Sequence, residues 1–217
     1  LLLDGNIEFA FQAFEHSMNF SERRSLLFAL RAYYNFKAVN AHLVTQPYLF
    51  FVDFGLHSKV PRGIVFNMIS RTVHAGPFTV AHGEGSGAMN SVPLVFSNGG
   101  NSQTSYHTSL GLYVTAEPYD FGNYNTRAVR LDGYSIGFND RARRRRIVMH
   151  PAPYVGSTNA GRSQGCPAVP MSHVGLVDAL AHGSVVFHFS PHDDNWLHHE
   201  KWVHCRGYPA TNSTRSP

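Results

Sequence analysis

From residue 48 onward the chain changes its hydrophobic period, and that change limits what it can fold into. Apolar runs at 48–54, 63–68, 72–81, 110–115, 128–131 and 147–150 are separated by Gly, Asn and Pro. Each run has strand length, and a further one follows at 184–189. Short strands with glycine-rich connections predict a mainly β domain with a sandwich- or barrel-like core. Upstream, 7–41 reads as helical. Phe9, Ala13 and Phe14 keep a 3–4 spacing, which Leu26, Leu27, Leu30, Tyr33, Tyr34 and Val39 resume after Ser21, the expected N-cap. One later helix is signalled by Ser172 as cap, Val174, Val177 and Leu180 on one face, and Gly183 as its stop. The chain is therefore expected to be α+β overall. A helical element at 1–45 precedes a mainly β domain at 46–190, and an appended element with a polar tail follows at 191–217.

At 217 residues with 43% hydrophobic and 13% aromatic content, the chain can bury a substantial core, which excludes disorder. No apolar run approaches the ~20 residues of a membrane span. The net charge of +4 is concentrated in Arg141, Arg143, Arg144, Arg145 and Arg146. A nucleic-acid binder spreads its basic residues over a face with aromatics between them, so no nucleic-acid partner is expected. These arginines read as a solvated face, with Arg146, next to a strand, placed to turn inward. The two cysteines, Cys166 and Cys205, make no disulfide framework and are expected to lie too far apart to bridge. The opening Leu1-Leu2-Leu3-Asp4 lacks the basic start of a complete signal peptide. Near the end, His192, Asp193, Asp194, His198, His199, His204 and Cys205 invite a zinc reading, but their spacing fits no standard zinc site. Trp196, Leu197 and Trp202 there read as packing, so neither a metal nor another cofactor is expected.

The chemistry sits in a strand, Ile147-Val148-Met149-His150, followed after a loop by Gly161-Arg162-Ser163-Gln164-Gly165-Cys166-Pro167-Ala168-Val169. A strand end can hold an imidazole at fixed distance from a loop thiol. A cysteine nucleophile needs a base or cation close by, and N–H groups aimed at the developing oxyanion. Gly165 lets the backbone approach a substrate carbonyl, and Ser163 can bond the local turn or the imidazole.

His150, Ser163, Gly165 and Cys166 resemble the signature of the bacterial L,D-transpeptidase catalytic domain family (YkuD-like), in which a His precedes Ser-x-Gly-Cys by about this interval. The resemblance extends to Asp53-Phe54 with Ser58 and Arg62, to Ala81-His82-Gly83-Glu84-Gly85-Ser86-Gly87, and to Phe96-Ser97-Asn98. It continues through Thr108-Ser109-Leu110-Gly111-Leu112-Tyr113, Leu131-Asp132-Gly133 and Asn139-Asp140. Two positions depart from it. Pro151 stands where many members carry Gly, and Ala168 where the larger family often carries Arg; the Pro-Ala pair is the usual alternative in one subfamily.

The resemblance implies a two-sheet sandwich with the Cys loop at one end, and a cofactor-free enzyme facing the periplasm or cell wall. Cys166 would attack the carbonyl between the diaminopimelate L-centre and the terminal D-residue of a peptidoglycan stem. His150 would serve as base and then acid, and N–H groups of Gly165 and Cys166 as the oxyanion hole, with Ser163 orienting. An amine acceptor would give a 3–3 cross-link; water would make the enzyme an L,D-carboxypeptidase or endopeptidase. Arg162, His82 and His107 are the candidates to line the substrate groove, the two histidines reading alternatively as satisfied structural residues, and carbapenems would acylate the thiol. A non-catalytic wall- or metal-binding module is the reading from another class, and the intact Cys-His pair speaks against it.

Overall fold

A computed structural model describes residues 2–99, 105–156, 160 and 162–204. Two helices, α1 (Leu2–Phe14) and α2 (Arg23–Val39), lead into strands β1 (Tyr48–Asp53), β2 (Gly63–Asn67), β3 (Thr72–Phe78) and β4 (His82–Gly83). Strands β5 (Gly111–Phe121), β6 (Thr126–Gly133), β7 (Val148–Ala152), β8 (Arg162–Ser163) and β9 (Ala168–Pro170) follow. The chain then forms α3 (Leu176–Leu180), β10 (Val185–Phe189) and α4 (Asp194–His199).

The α+β class is as expected, but the separation into two sheets holds only in part. Eight strands follow one another in the order β3-β2-β1-β10-β5-β6-β7-β9, and a two-stranded β4-β8 pair stands beside them. The reason is β10. It runs parallel to β1 through Leu49↔Val185 and antiparallel to β5 through Val186↔Tyr113, joining the early hairpin to the later strands. The β4-β8 pair is tied to the far end by the Ala81↔Ala168 bridge.

The early helices share the core of the sheet. Phe14 stacks on Phe66 at 4.1 Å, and Phe28 meets Phe189 edge-on. Ser21 does not cap α2. Its N–H and hydroxyl go to the buried Asp53 carboxylate at 2.8 and 2.7 Å, and Glu22 takes the cap position instead. The helix after the Cys loop is shorter than expected. A 3-10 turn at Met171–His173 precedes α3, Val174 is exposed, and His182 takes the left-handed conformation one residue before Gly183. The described part of the appended element, 191–204, packs on the core. Trp196 lies against Phe187 and Phe189, and Asn35 of α2 donates to the Trp202 carbonyl at 2.9 Å. Among the described residues no group of His, Cys, Asp and Glu is arranged to hold a metal ion, and no helix is long and apolar enough to cross a membrane. Cys205 lies outside the described residues.

Candidate active site

Strands β7 and β9 run parallel with His150 opposite Ala168, two residues beyond Cys166. That register draws the thiol against the start of β7. Cys166 Sγ accepts the Val148 N–H at 3.5 Å and lies 3.9 Å from the Arg146 carbonyl. His150 is 5% exposed, with its ring 4.7 Å from that of Phe121. Its Nδ1 is 3.0 Å from the Pro151 carbonyl, which can only accept, so Nδ1 carries the proton and Nε2 is left as the basic nitrogen. Pro151 thus orients the imidazole through its carbonyl.

Burial decides the charge state of both groups. It lowers the pKa of His150 below the ordinary histidine value, opposed by the bond to Pro151. It raises that of the Cys166 thiol, opposed by the Val148 N–H and the charge of Arg145. Neither ring nitrogen of His150 hydrogen-bonds the sulfur in this state. The pair therefore rests as neutral thiol and neutral imidazole, which is the arrangement of a general base and its nucleophile rather than of a preformed ion pair.

The turn carrying the thiol is pinned from inside. Ser163 Oγ accepts the Gly165 N–H at 3.1 Å and donates to the Cys166 carbonyl at 2.6 Å, so the serine bonds the turn and not the imidazole. This commits the Gly165 N–H and removes it from the expected pair of oxyanion donors. Gly165 has φ +110°, and a Cβ there would sit 2.8 Å from the His107 carbonyl. Next to it Gly83 is equally confined, 2.1 Å from the Tyr106 carbonyl by the same measure. The His82-Gly83-Glu84 segment reaches the thiol loop through β4, which pairs with β8 by His82↔Arg162 and Gly83↔Ser163.

A groove of about 790 Å³ opens over these residues. His150, Ser163 and Cys166 line it together with Arg162, whose side chain is exposed. His82 does not line it, contrary to its expected role. Fully buried, it accepts from Arg62 Nη2 at 2.9 Å on Nδ1 and donates from Nε2 to the Ala88 carbonyl at 3.0 Å. Burial and the Arg62 charge bring its pKa down to about 4. His107 does not line the groove either; its carbonyl accepts from Arg145 Nη2 at 2.8 Å, and its neighbour Tyr106 supplies the wall. Ala168 is fully buried and does not line the groove.

Several groove residues escape a sequence reading. Tyr119, Phe121, Tyr124 and Tyr154 form an aromatic wall, and Glu84 and Arg146 add charge. Tyr119 and Phe121 alternate on β5, a period-2 signal that lay just past the run at 110–115. The inward-turning arginine is Arg145, 8% exposed, whereas Arg146 has φ +59° and is exposed.

No curated protein matches the chain in sequence. A solved structure, that of Bd1075 from Bdellovibrio bacteriovorus, is similar at 16% identity and a TM-score of 0.41 over 66% of this chain and 48% of its own. The chain thus spans about half the length of that protein. The sequence profile of the L,D-transpeptidase catalytic domain matches residues 21–189, a span that takes in α2, all ten strands and the Cys166–His150 groove. On that match, the chain belongs to the L,D-transpeptidase catalytic domain family.

Proposed function

We propose that this protein is a cysteine acyltransferase of peptidoglycan stem peptides, working outside the cytoplasm and forming 3–3 cross-links. The observation that carries the reading is the placing of Cys166 and His150 in one groove by the β7-β9 register, with the basic Nε2 bonded to no other group among the described residues. The sulfur attacks the carbonyl of the bond between the diaminopimelate L-centre and the terminal D-residue, and His150 Nε2 takes the thiol proton. The Cys166 N–H faces the developing oxyanion, with Ser163 holding the turn that presents it. When the tetrahedral adduct collapses, the C–N bond breaks and His150 returns the proton to the departing D-amino acid. An acceptor amine then attacks the thioester, gives its proton to His150, and the thiol is regenerated.

The aromatic wall of Tyr119, Phe121, Tyr124 and Tyr154 supports transfer to an amine, since it limits water around the thioester. The test is mass spectrometry of products from purified tetrapeptide muropeptides, with Cys166→Ala as control. A cross-linked dimer lacking one D-residue is expected, with no product from the variant. A trimmed monomer alone would mean that water is the acceptor, and no reaction would overturn the proposal.

A further inference from the structure

We infer that Arg145 is a positioning residue for the nucleophile, a buried cation held beneath the turn of Gly165 and Cys166 so that its charge favours the thiolate. The inference rests on the reading of Cys166 as nucleophile. Arg145 is 8% exposed, yet it forms no ion pair with any described Asp or Glu. Its guanidinium is instead caged by oxygens. Nη1 donates to the Ser97 carbonyl at 3.1 Å and to Ser109 Oγ at 2.6 Å. Nη2 donates to Ser105 Oγ at 3.1 Å and to the His107 carbonyl at 2.8 Å. The same Nη2 lies 3.5 Å from where a Cβ on Gly165 would stand. Neutral oxygens take the four Nη1 and Nη2 bonds, and Nε–H is left buried without a partner among the described residues, so nothing there cancels the charge and a full positive charge is kept one residue from the sulfur.

The other ionisable groups around the thiol cannot replace it. Arg146 and Arg162 are exposed, so solvent screens them. Glu84 is exposed and of the wrong sign. Burial keeps His150 uncharged, and it holds the phenols of Tyr113, Tyr119 and Tyr154 neutral at physiological pH. Arg145 is thus the buried charge available to offset the desolvation of a thiolate at Cys166. It acts through position, because its four bonds are spent on the protein and none reaches the sulfur.

Two measurements test this. The first is the alkylation rate of Cys166 by iodoacetamide as a function of pH, in the wild type and in Arg145→Gln and Arg145→Lys. The inflection is expected to rise by about one pH unit in Arg145→Gln, slowing alkylation near neutrality about tenfold. The plateau at high pH should stay the same, and Arg145→Lys should restore most of the shift. An inflection that stays in place in a folded Arg145→Gln would overturn the inference. The second measurement needs no arginine variant: the Arg145 Nε resonance of the wild type should titrate with the Cys166 thiol, and that inflection should vanish in Cys166→Ala. A resonance that ignores the thiol overturns the inference even where Arg145→Gln does not fold. Neither readout requires turnover, so a wild type inactive on muropeptides would count against the proposed function and leave the charge coupling to be judged separately.

Discussion

Ser163 donates its hydroxyl proton to the carbonyl of Cys166 at 2.6 Å, and the same oxygen accepts the N–H of Gly165. The serine is therefore a staple across the turn that aims the nucleophile, 6% exposed and without a bond to substrate-facing groups. Replacing it with Ala removes two buried hydrogen bonds and leaves one carbonyl and one N–H to find other partners, a loss of about 1–3 kcal/mol. Ser163→Ala should therefore lower the melting temperature by several degrees and turnover by about tenfold or more, because an error of ~1 Å in the thiol is costly. Thermal melts alongside muropeptide kinetics decide it. An unchanged melt with lost activity would instead make Ser163 a direct participant in the chemistry.

Gly165 should tolerate no side chain. Its φ of +110° lies where L-residues are strained, and a Cβ would meet the His107 carbonyl at 2.8 Å. The carbonyl cannot retreat easily, because Arg145 Nη2 holds it. Gly165→Ala is expected to cut turnover more than a hundredfold while circular dichroism shows the sheet intact. Wild-type activity in this variant would mean that the turn is free to rearrange.

Much of the scaffold is legible in sequence because apolar alternation reports burial directly. The runs at 48–54, 63–68, 147–150 and 184–189 match β1, β2, β7 and β10 to within two residues at either end. The long β5 was not legible beyond Thr115, because a register shift between Thr115 and Pro118 breaks the alternation before Tyr119 and Phe121 resume it. Pairing across the chain, such as Leu49 with Val185, leaves no local signal at all. That Cys166 and His150 share one groove agrees with the reading of their spacing and motif, but which arginine turns inward was not legible. Arg145 is buried and Arg146, at φ +59°, is exposed, and nothing local in a run of arginines distinguishes the two. His82 misled for a similar reason: its partner Arg62 stands twenty residues away and only the fold brings them together.

Acid should destabilise the protein through histidines that the fold keeps neutral. His82 and His188 are fully buried, and burial takes both down to about 4. In the unfolded chain the same imidazoles take up protons near pH 6.5. Unfolding therefore binds protons between about pH 6.5 and about pH 4. Stability is complete above that window and falls as pH drops through it, by up to roughly 3 kcal/mol for each histidine. Urea midpoints measured at about pH 7.5, 5.5 and 4.5 should decline in that order. His188→Phe, which keeps an aromatic ring between Phe54 and Tyr113, should remove part of the decline. A midpoint independent of pH would show that water reaches these rings.

Arg162 is the exposed cation best placed to bind substrate, because β8 presents it at the rim of the groove beside Ser163 and Gln164. No described Asp or Glu pairs with it. A stem peptide carries carboxylates, and a guanidinium meets a carboxylate through two parallel N–H bonds. In an open groove such a contact is worth about 0.5–1 kcal/mol, which solvent and salt reduce further. Arg162→Ala should accordingly raise KM by about twofold to fivefold and leave kcat within about twofold, the pattern of a binding contact made equally in ground and transition states. Added salt should raise the wild-type KM toward that of the variant, since screening and truncation remove the same attraction. Steady-state kinetics on tetrapeptide muropeptides at low and high ionic strength measure both effects. A fall in kcat at unchanged KM would place Arg162 on the transition state instead, and equal salt dependence in the two proteins would assign the electrostatic attraction to Arg146 across the groove.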